Sequence, residues 1–252
     1  YKFIPGRDGT VSLEAFAQDI YGRGLFYQED FDVTTITPDR GGKMTSRDGN
    51  CWVEFPPKSV YKPMMVRISE LENRSNKFYD SLGNVYQVEP GDIPLKEKVW
   101  VYLRYPEDDS LPTKLGVYGQ SKEGLWIFSG NQLDPSRKTL STTVSSLNRY
   151  TLIRDLEPPL IWDIQPGNGT HLNIRRPLIQ VSVKDRLSGI QTEDYISLRL
   201  DGHKLIAEYD PERHLVFYQV REPLALGRHT ISVWAMDRCG NKAQAESVFW
   251  VE

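Results

Sequence analysis

The chain has 252 residues, of which 39% are hydrophobic and 26% are charged, and its formal net charge is −3 at pH 7. This hydrophobic fraction excludes a mostly disordered chain. The dispersed basic residues exclude a nucleic-acid-binding footprint, and no apolar run approaches the roughly 20 residues of a membrane helix. The chain opens on YKFIPGRDG without a methionine, so we expect it to be a mature or excised part of a longer protein.

The first predicted element in chain order is a strand over residues 10–18, although LEAFAQDI (13–20) is also compatible with a helix. An internal repeat favours the strand. When Asp19 is aligned with Asp237, SLEAFAQDIYGR and TISVWAMDRCGN share the pattern apolar-x-apolar-x-Ala-x-Asp-x-x-Gly. We therefore predict that residues 1–37 form the terminal β-hairpin of a truncated or adjoining sandwich.

Short runs of alternating apolar and polar residues follow, separated by Gly, Pro, Asn and Asp. This period-two pattern is typical of strands that bury one face. About a dozen such runs favour two β-sandwiches over one. The predicted strands are CWVEF (51–55), MMVRISEL (64–71), KVWVYLRY (98–105), LGVYG (115–119), GLWIFSG (124–130), RYTLI (149–153), LIQVSV (178–183), ISLRLDG (196–202), KLIAEY (204–209), HLVFYQV (214–220), HTISVWAMD (229–237) and ESVFWVE (246–252).

The stretch RDLEPPLIWDIQP, residues 154–166, marks a domain boundary. Pro158 and Pro159 have no backbone N–H, so neither can donate to a sheet. We predict an all-β fold with two consecutive β-sandwich domains, residues 38–154 and 155–252, preceded by the hairpin.

The segments EPP, VKDRLSGI, LRLDGHKL, AEYDPERHLVFY and LALGRHTISVWAMDRCGN stand in one frame before a final strand. Together they resemble a bacterial immunoglobulin-like domain, over about residues 158–252. The resemblance implies an immunoglobulin-like sandwich of the kind that recurs in secreted and envelope proteins of bacteria. It implies little about activity, because this module serves as a spacer or binder in many settings.

GGKMTSRDGNCWVEFPPKSV (41–60) and LGVYGQSKEGLWIFSGNQLDPSRKTLSTTVSSLNRYTLI (115–153) resemble the opening and the closing pattern of the ZU-type sandwich of ankyrins and netrin receptors. Some relatives in that family cleave themselves at a His-Phe-Ser or similar tripeptide in the last hairpin. Ser146, Leu147 and Asn148 stand at those positions here. Because Ser146 stands in place of the histidine base and Asn148 in place of the hydroxyl nucleophile, we expect no self-cleavage.

The order of the predicted domains is similar to the C-terminal accessory region of lysostaphin-type zinc endopeptidases of Gram-negative bacteria, which act on peptidoglycan. Those enzymes hold zinc with a His, an Asp a few residues later, and a His-x-His. The sequence contains neither pattern. The resemblance therefore implies a cell-wall peptidase domain outside these residues.

The histidines and cysteines give no sign of catalysis. His171, His203, His214 and His229 all follow residue 170, and none has the spacing of metal ligands. We expect them in exposed loops or at strand edges and turns. The spacing of Cys51 and Cys239 does not require a disulfide. We expect a protein that is not itself an enzyme and has no catalytic, cofactor-binding or metal-binding residues.

Two acidic turns offer two interpretations. In VSVKDRLSGI (181–190) and TISVWAMDRCGNK (230–242) an apolar run ends in Asp185 or Asp237, and Gly189 or Gly240 follows. A calcium site would use these carboxylates as oxygen ligands. An Asx-turn would use them to accept backbone N–H bonds. Each aspartate precedes an arginine, which opposes a cation, so we predict structural turns and keep calcium as the alternative.

Several large aromatic side chains alternate with the aliphatic residues of their strands and so point away from the predicted core. Trp100, Tyr102, Trp234 and Trp250 are the candidates. They would stack on sugar rings or on a partner, or they would pack against neighbouring domains or loops. We favour packing, because scattered surface apolar residues are common.

We expect a non-catalytic accessory, spacer or binding region of a bacterial envelope or secreted protein, located in the periplasm, at the cell surface or outside the cell. Its partners would be other domains of the parent chain, including a cell-wall peptidase domain. The alternative is an adhesin or carbohydrate-binding module whose aromatics contact cell-wall glycan or a surface protein. We expect neither nucleic-acid binding nor a membrane span.

Overall fold

A computed structural model describes residues 8–72 and 79–252. These residues form 21 β-strands and two 3₁₀ helices, and no α-helix occurs among them. The all-β prediction is therefore confirmed. No helix in the described ranges has the length and apolar character of a membrane span. The chain divides into two compact units, Tyr1–Arg154 and Asp155–Glu252.

The first unit is built from twelve strands. They are β1 (Gly9–Gln18), β2 (Gly24–Ile36), β3 (Gly42–Thr45), β4 (Cys51–Phe55), β5 (Met64–Leu71), β6 (Asp80–Glu89), β7 (Val99–Arg104), β8 (Leu115–Gln120), β9 (Trp126–Gly130), β10 (Gln132–Asp134), β11 (Thr139–Val144) and β12 (Arg149–Arg154), with a 3₁₀ helix over Pro112–Lys114.

These strands form two antiparallel sheets that share one core. The seven-stranded sheet has the order β1-β2-β5-β6-β12-β8-β9, and the five-stranded sheet has the order β10-β11-β7-β4-β3. The period-two pattern of the sequence decides which residues turn inward. In β7, for example, Val99, Val101 and Leu103 are buried. They pack in one apolar cluster with residues of the other sheet such as Val66 and Leu152, which is the arrangement of a β-sandwich.

The first two strands form a hairpin that belongs to the seven-stranded sheet. Ten residue pairs join β1 to β2 in an uninterrupted register, so the strand predicted for residues 10–18 is confirmed. Only Thr34, Thr35 and Ile36 of β2 pair with β5. The predicted boundary at residue 37 therefore does not separate two sheets, and most of the hairpin extends beyond the body of the sheet as a two-stranded ribbon.

The second unit contains nine strands. They are β13 (Leu160–Gln165), β14 (His171–Leu172), β15 (Leu178–Lys184), β16 (Ile196–Leu200), β17 (His203–Lys204), β18 (Glu208–Asp210), β19 (Leu215–Gln219), β20 (Gly227–Met236) and β21 (Lys242–Val251), with a 3₁₀ helix over Glu193–Tyr195.

A four-stranded sheet, β13-β15-β19-β18, and a five-stranded sheet, β14-β21-β20-β16-β17, make up this unit. The short strand β14 pairs with β21 in parallel, and the other pairs are antiparallel. Side chains from both sheets form a second apolar cluster, which includes Val181, Val216, Ile231 and Phe249.

Candidate functional site

Three aspartates of the second unit meet in space. Asp155 precedes β13, Asp185 follows β15 and Asp237 follows β20. Each offers a carboxylate oxygen, and these oxygens all lie within 4.8 Å of one another. Asp155 and Asp237 have 0% exposure. Such a concentration of buried negative charge is costly unless hydrogen bonds, a proton or a cation offset it.

Two of the carboxylates close the turns in which they lie. Asp185 Oδ2 accepts the backbone N–H of Leu187 at 3.0 Å and that of Gly189 at 2.7 Å. Asp237 Oδ1 accepts the N–H of Asn241 at 2.8 Å. Gly189 lies at φ 76°, a left-handed conformation that a glycine adopts at little cost. This is the geometry of the Asx-turn interpretation.

Asp155 links the two turns, and sequence reasoning did not identify it. Its Oδ2 accepts the N–H of Ser188 at 3.0 Å, within the Asp185 turn. Its carbonyl oxygen accepts the Asn241 side-chain amide at 2.9 Å, and the same amide donates to Asp237 Oδ2 at 2.7 Å. Asp155 therefore links both corners of the sandwich, one through its carboxylate and the other through its backbone carbonyl.

Burial and mutual repulsion shape the charge of the cluster. Burial, together with the charges of Asp155 and Asp237, raises the pKa of Asp185 to about 6, although the N–H bonds from Gly189 and Leu187 act in the opposite direction. Burial likewise raises the pKa of Asp237, against its bonds from Asn241. The cluster can hold a proton near neutral pH. It can also offer oxygens to a divalent cation, but N–H bonds already occupy both oxygens of Asp155 and of Asp237 and one oxygen of Asp185.

The aromatic candidates of the first unit form a stack on the five-stranded sheet. The rings of Tyr102 and Trp52 lie 5.0 Å apart with an interplanar angle of 7°, and those of Tyr102 and Trp100 lie 6.1 Å apart at 30°. Lys43 Nζ lies 4.8 Å from the centre of the Trp52 ring. The pairing of β4 with β7 places Trp52 directly opposite Tyr102. These rings contact one another, which favours packing over sugar stacking.

The aromatic candidates of the second unit lie apart from each other on β20 and β21. The Trp250 ring stacks on His171 at 5.3 Å and 10°. Lys242 Nζ lies 5.7 Å from the centre of the Trp234 ring. Trp234 also lines a shallow cleft of about 560 Å³ with Arg199 and Gln244. Among the four candidates, Trp234 thus has the surroundings that best suit a small polar ligand.

One histidine differs from the sequence expectation. His229 was predicted at an exposed strand edge, but it has 6% exposure, because it lies within β20 on the same side as Ile231. Its Nδ1 is 2.7 Å from Asp201 Oδ2, and its Nε2 is 2.9 Å from the carbonyl oxygen of Ala225. Burial lowers the pKa of His229, but the bonds to Asp201 and Ala225 outweigh it and raise the pKa. Both ring nitrogens therefore contact oxygen atoms of neighbouring residues, and these contacts hold the imidazole in a fixed position within the sandwich.

The positions that correspond to the self-cleavage tripeptide lie between β11 and β12. Leu147 is buried in the core of the first unit. The carbonyl oxygen of Ser146 accepts the Tyr150 hydroxyl at 2.6 Å. The side-chain amide of Asn148 donates to the carbonyl oxygen of Gln120. These contacts tie the connection to the sheet on both sides.

The far part of the β1–β2 hairpin exposes large apolar side chains, a feature to which sequence reasoning assigned no role. On one face Ala15 lies opposite Tyr27 and Ala17 lies opposite Leu25. Leu25 is 71% exposed, and Ile20 at the tip is 92% exposed. The exposed large apolar residues of the hairpin are Leu13, Phe16, Ile20, Tyr21, Leu25, Phe26 and Tyr27.

Comparisons with known proteins do not identify a family. No protein-family model matches the chain, and neither does any curated protein. Among solved structures, CopC from Methylosinus trichosporium OB3b is 15% identical and aligns with 37% of this chain and 93% of its own, at a TM-score of 0.31. Dimeric latent PorU from Porphyromonas gingivalis is 14% identical and aligns with 98% of this chain but only 19% of its own, also at 0.31.

Proposed function

We propose that this chain is a non-catalytic accessory region of a bacterial envelope or secreted protein, and that it docks another domain of the same parent chain through the β1–β2 hairpin. The exposed apolar face of the hairpin carries the proposal. A two-stranded ribbon is marginally stable in water, and a contiguous exposed apolar patch typically marks an interaction site. The envelope setting rests on the resemblance of residues 158–252 to bacterial immunoglobulin-like domains.

The pattern of the hairpin is that of half a sandwich core. Odd-numbered residues of β1, from Val11 to Ala17, are all apolar. Their partners on β2 are Phe31, Glu29, Tyr27 and Leu25, so one charged residue interrupts an otherwise apolar face. The opposite face carries Ser12, Glu14, Gln28 and Asp30, and its one aromatic pair, Phe16 and Phe26, lies closer to the turn. A docked domain would cover the odd-numbered face as a second sheet covers a first.

The acidic and histidine side chains of the second unit that could take part in catalysis make structural hydrogen bonds instead. These bonds support a non-catalytic role for the unit. Asp155, Asp185 and Asp237 accept N–H bonds that close and join turns. His229 bridges Asp201 and a backbone carbonyl. In these positions the three aspartates and His229 stabilise the sandwich.

Site-specific photo-crosslinking in the full-length gene product tests this proposal. Benzoylphenylalanine at Tyr27 lies on the apolar face, and the matched control at Gln28 lies on the opposite face of the same strand. We expect intramolecular cross-links from position 27 to residues outside this chain, and few from position 28. An absence of such cross-links from position 27 would contradict the docking role.

The alternative, a carbohydrate-binding module, is favoured by the cleft around Trp234. An aromatic face beside the planar polar groups of Arg199 and Gln244 suits a sugar ring, which offers apolar C–H faces and paired hydroxyls. Retention on immobilised peptidoglycan and its loss in Trp234→Ala would support this function. Equal retention of the variant and the unaltered protein would contradict it.

A further inference from the structure

The edge of strand β1 differs from every other sheet edge that the described residues form. Within residues 8–72 and 79–252, β1 pairs only with β2, so one side of its ten-residue backbone is unpaired. The other edge strands have six residues or fewer; they are β3, β9, β10, β13, β14, β17 and β18. Long unpaired edges are rare in proteins, because they template pairing with another chain.

Natural edge strands also avoid pairing by irregularity, and β1 lacks the usual devices. β13, the longest of the other edges, has a register irregularity between Trp162 and Gln165, and Asp163 there lies at φ 53°. β1 pairs in one uninterrupted register with β2. It contains no proline and no lysine, and Glu14 is its one charged residue. Among the described residues nothing therefore covers the edge of β1 that faces away from β2, and this edge is open to a further strand.

From this edge we infer that two copies of the protein pair through β1 in an antiparallel, two-fold symmetric sheet. This interface uses the backbone edge of β1 and goes beyond the proposed docking role, which uses the side-chain face of the hairpin. In such a pair, opposite residues point to the same side of the sheet. A two-fold axis also requires that equivalent residues of the two copies point to the same side. Both conditions hold only in registers in which one residue lies opposite its own copy.

The side chains of β1 are complementary to their own copy in the register centred on Leu13. The single acidic residue of β1 then lies opposite a serine, whereas a register centred on Glu14 would place two carboxylates directly opposite each other, which is destabilising. The apolar face continues across the axis without interruption. The facing pairs are Gly9 with Ala17, Thr10 with Phe16, Val11 with Ala15, Ser12 with Glu14, and Leu13 with Leu13.

Sedimentation velocity over a concentration series tests the inference on the purified protein. We expect a concentration-dependent dimer. Leu13→Lys places two like charges across the two-fold axis, at a position that is already 40% exposed, and should give a monomer. The matched control Phe26→Lys alters an exposed residue of β2, away from the free edge, and should leave the dimer intact. A monomer at all concentrations, or an unchanged dimer in Leu13→Lys, would overturn the inference.

A second measurement fixes the register. Under mild oxidation, Leu13→Cys should form a disulfide between copies, whereas Thr10→Cys should not, because residue 10 lies far from its own copy in this register. The natural cysteines Cys51 and Cys239 are both buried, so they do not compete. Dimers cross-linked equally at positions 10 and 13 would contradict the register and with it the proposed pairing. The docking proposal would remain open to its own cross-linking test.

Discussion

Asp19 and Asp237 close two different hairpins with the same three hydrogen bonds. The N–H of each aspartate donates to the carbonyl oxygen four residues later, at 2.9 Å to Arg23 and 3.0 Å to Asn241. The glycine three residues later donates back to the aspartate carbonyl, and the N–H four residues later donates to Oδ1. The turns differ in burial, since Asp19 is exposed and Asp237 is fully buried.

This difference predicts unequal effects of alanine. Asp237→Ala removes the acceptor of the buried Asn241 backbone N–H and one of the acceptors of the Asn241 side-chain amide, which costs about 1–3 kcal/mol of unfolding free energy. Asp19→Ala should cost clearly less, because water replaces the carboxylate. Asp237→Asn keeps an acceptor oxygen and should lie between the unaltered protein and Asp237→Ala. Urea unfolding measures all three, and equal losses for Asp19→Ala and Asp237→Ala would show that burial does not decide the cost.

The pKa of Asp185 predicts a pH dependence of stability. Because burial raises that pKa from its ordinary value of 3.8 to about 6, the folded state binds a proton more tightly than the unfolded state. Its contribution is fully present below about pH 4 and is lost as the pH rises through about 6. Between pH 4 and 7, the unfolding free energy of Asp185→Asn should therefore change less than that of the unaltered protein. His229, whose pKa is also raised, acts in the same direction and stays in both proteins. An unchanged pH profile in the variant would contradict this assignment.

Calcium separates the two interpretations of the aspartate cluster. If the carboxylates serve as turn acceptors, calcium and chelator should give the same melting temperature, and Asp185→Asn should be milder than Asp185→Ala. If calcium binds, the metal should raise the melting temperature, and both substitutions should abolish that rise, because the charge holds the ion. Thermal unfolding with calcium and with chelator measures the difference. A calcium-dependent rise lost equally in both variants would show that the turn interpretation is wrong.

The stack of Trp52, Tyr102 and Trp100 predicts a stability effect rather than a binding effect. Tyr102→Leu removes two ring contacts, each worth about 0.5–1.5 kcal/mol beyond the buried area. We expect a lower unfolding free energy and unchanged retention on immobilised peptidoglycan. Loss of retention with unchanged stability would instead assign the stack to ligand binding.

The sequence could predict what depends on local patterns. The alternation of apolar and polar residues in β1 and the Asp-x-x-Gly turn at Asp19 each involve only neighbouring residues. The sequence therefore predicts both the strand and its similarity to residues 230–241. Asp155 was not predictable, because it carries no turn signature and its partner Ser188 lies far along the chain. Nor was the role of Trp52, since it depends on the cross-strand pairing with Tyr102.

The burial of His229 shows the limit of placing strand ends by sequence. The sequence predicts a strand that starts at this residue, but β20 begins at Gly227, and His229 lies on the core-facing side against Phe249. The unpaired edge of β1 was also beyond sequence reasoning, because alternation indicates which face of a strand is apolar but not which strands become its neighbours.

Hydrogen–deuterium exchange across residues 20–27 tests the docking role of the hairpin most directly. The exchange is compared between this chain and the full-length gene product, both at concentrations at which sedimentation shows no dimer, so that pairing between copies does not contribute. If another domain of the parent covers the hairpin, these amides should exchange more slowly in the full-length protein, while those of β21 should exchange equally in both. Equal exchange across residues 20–27 in the two proteins would contradict the proposed function.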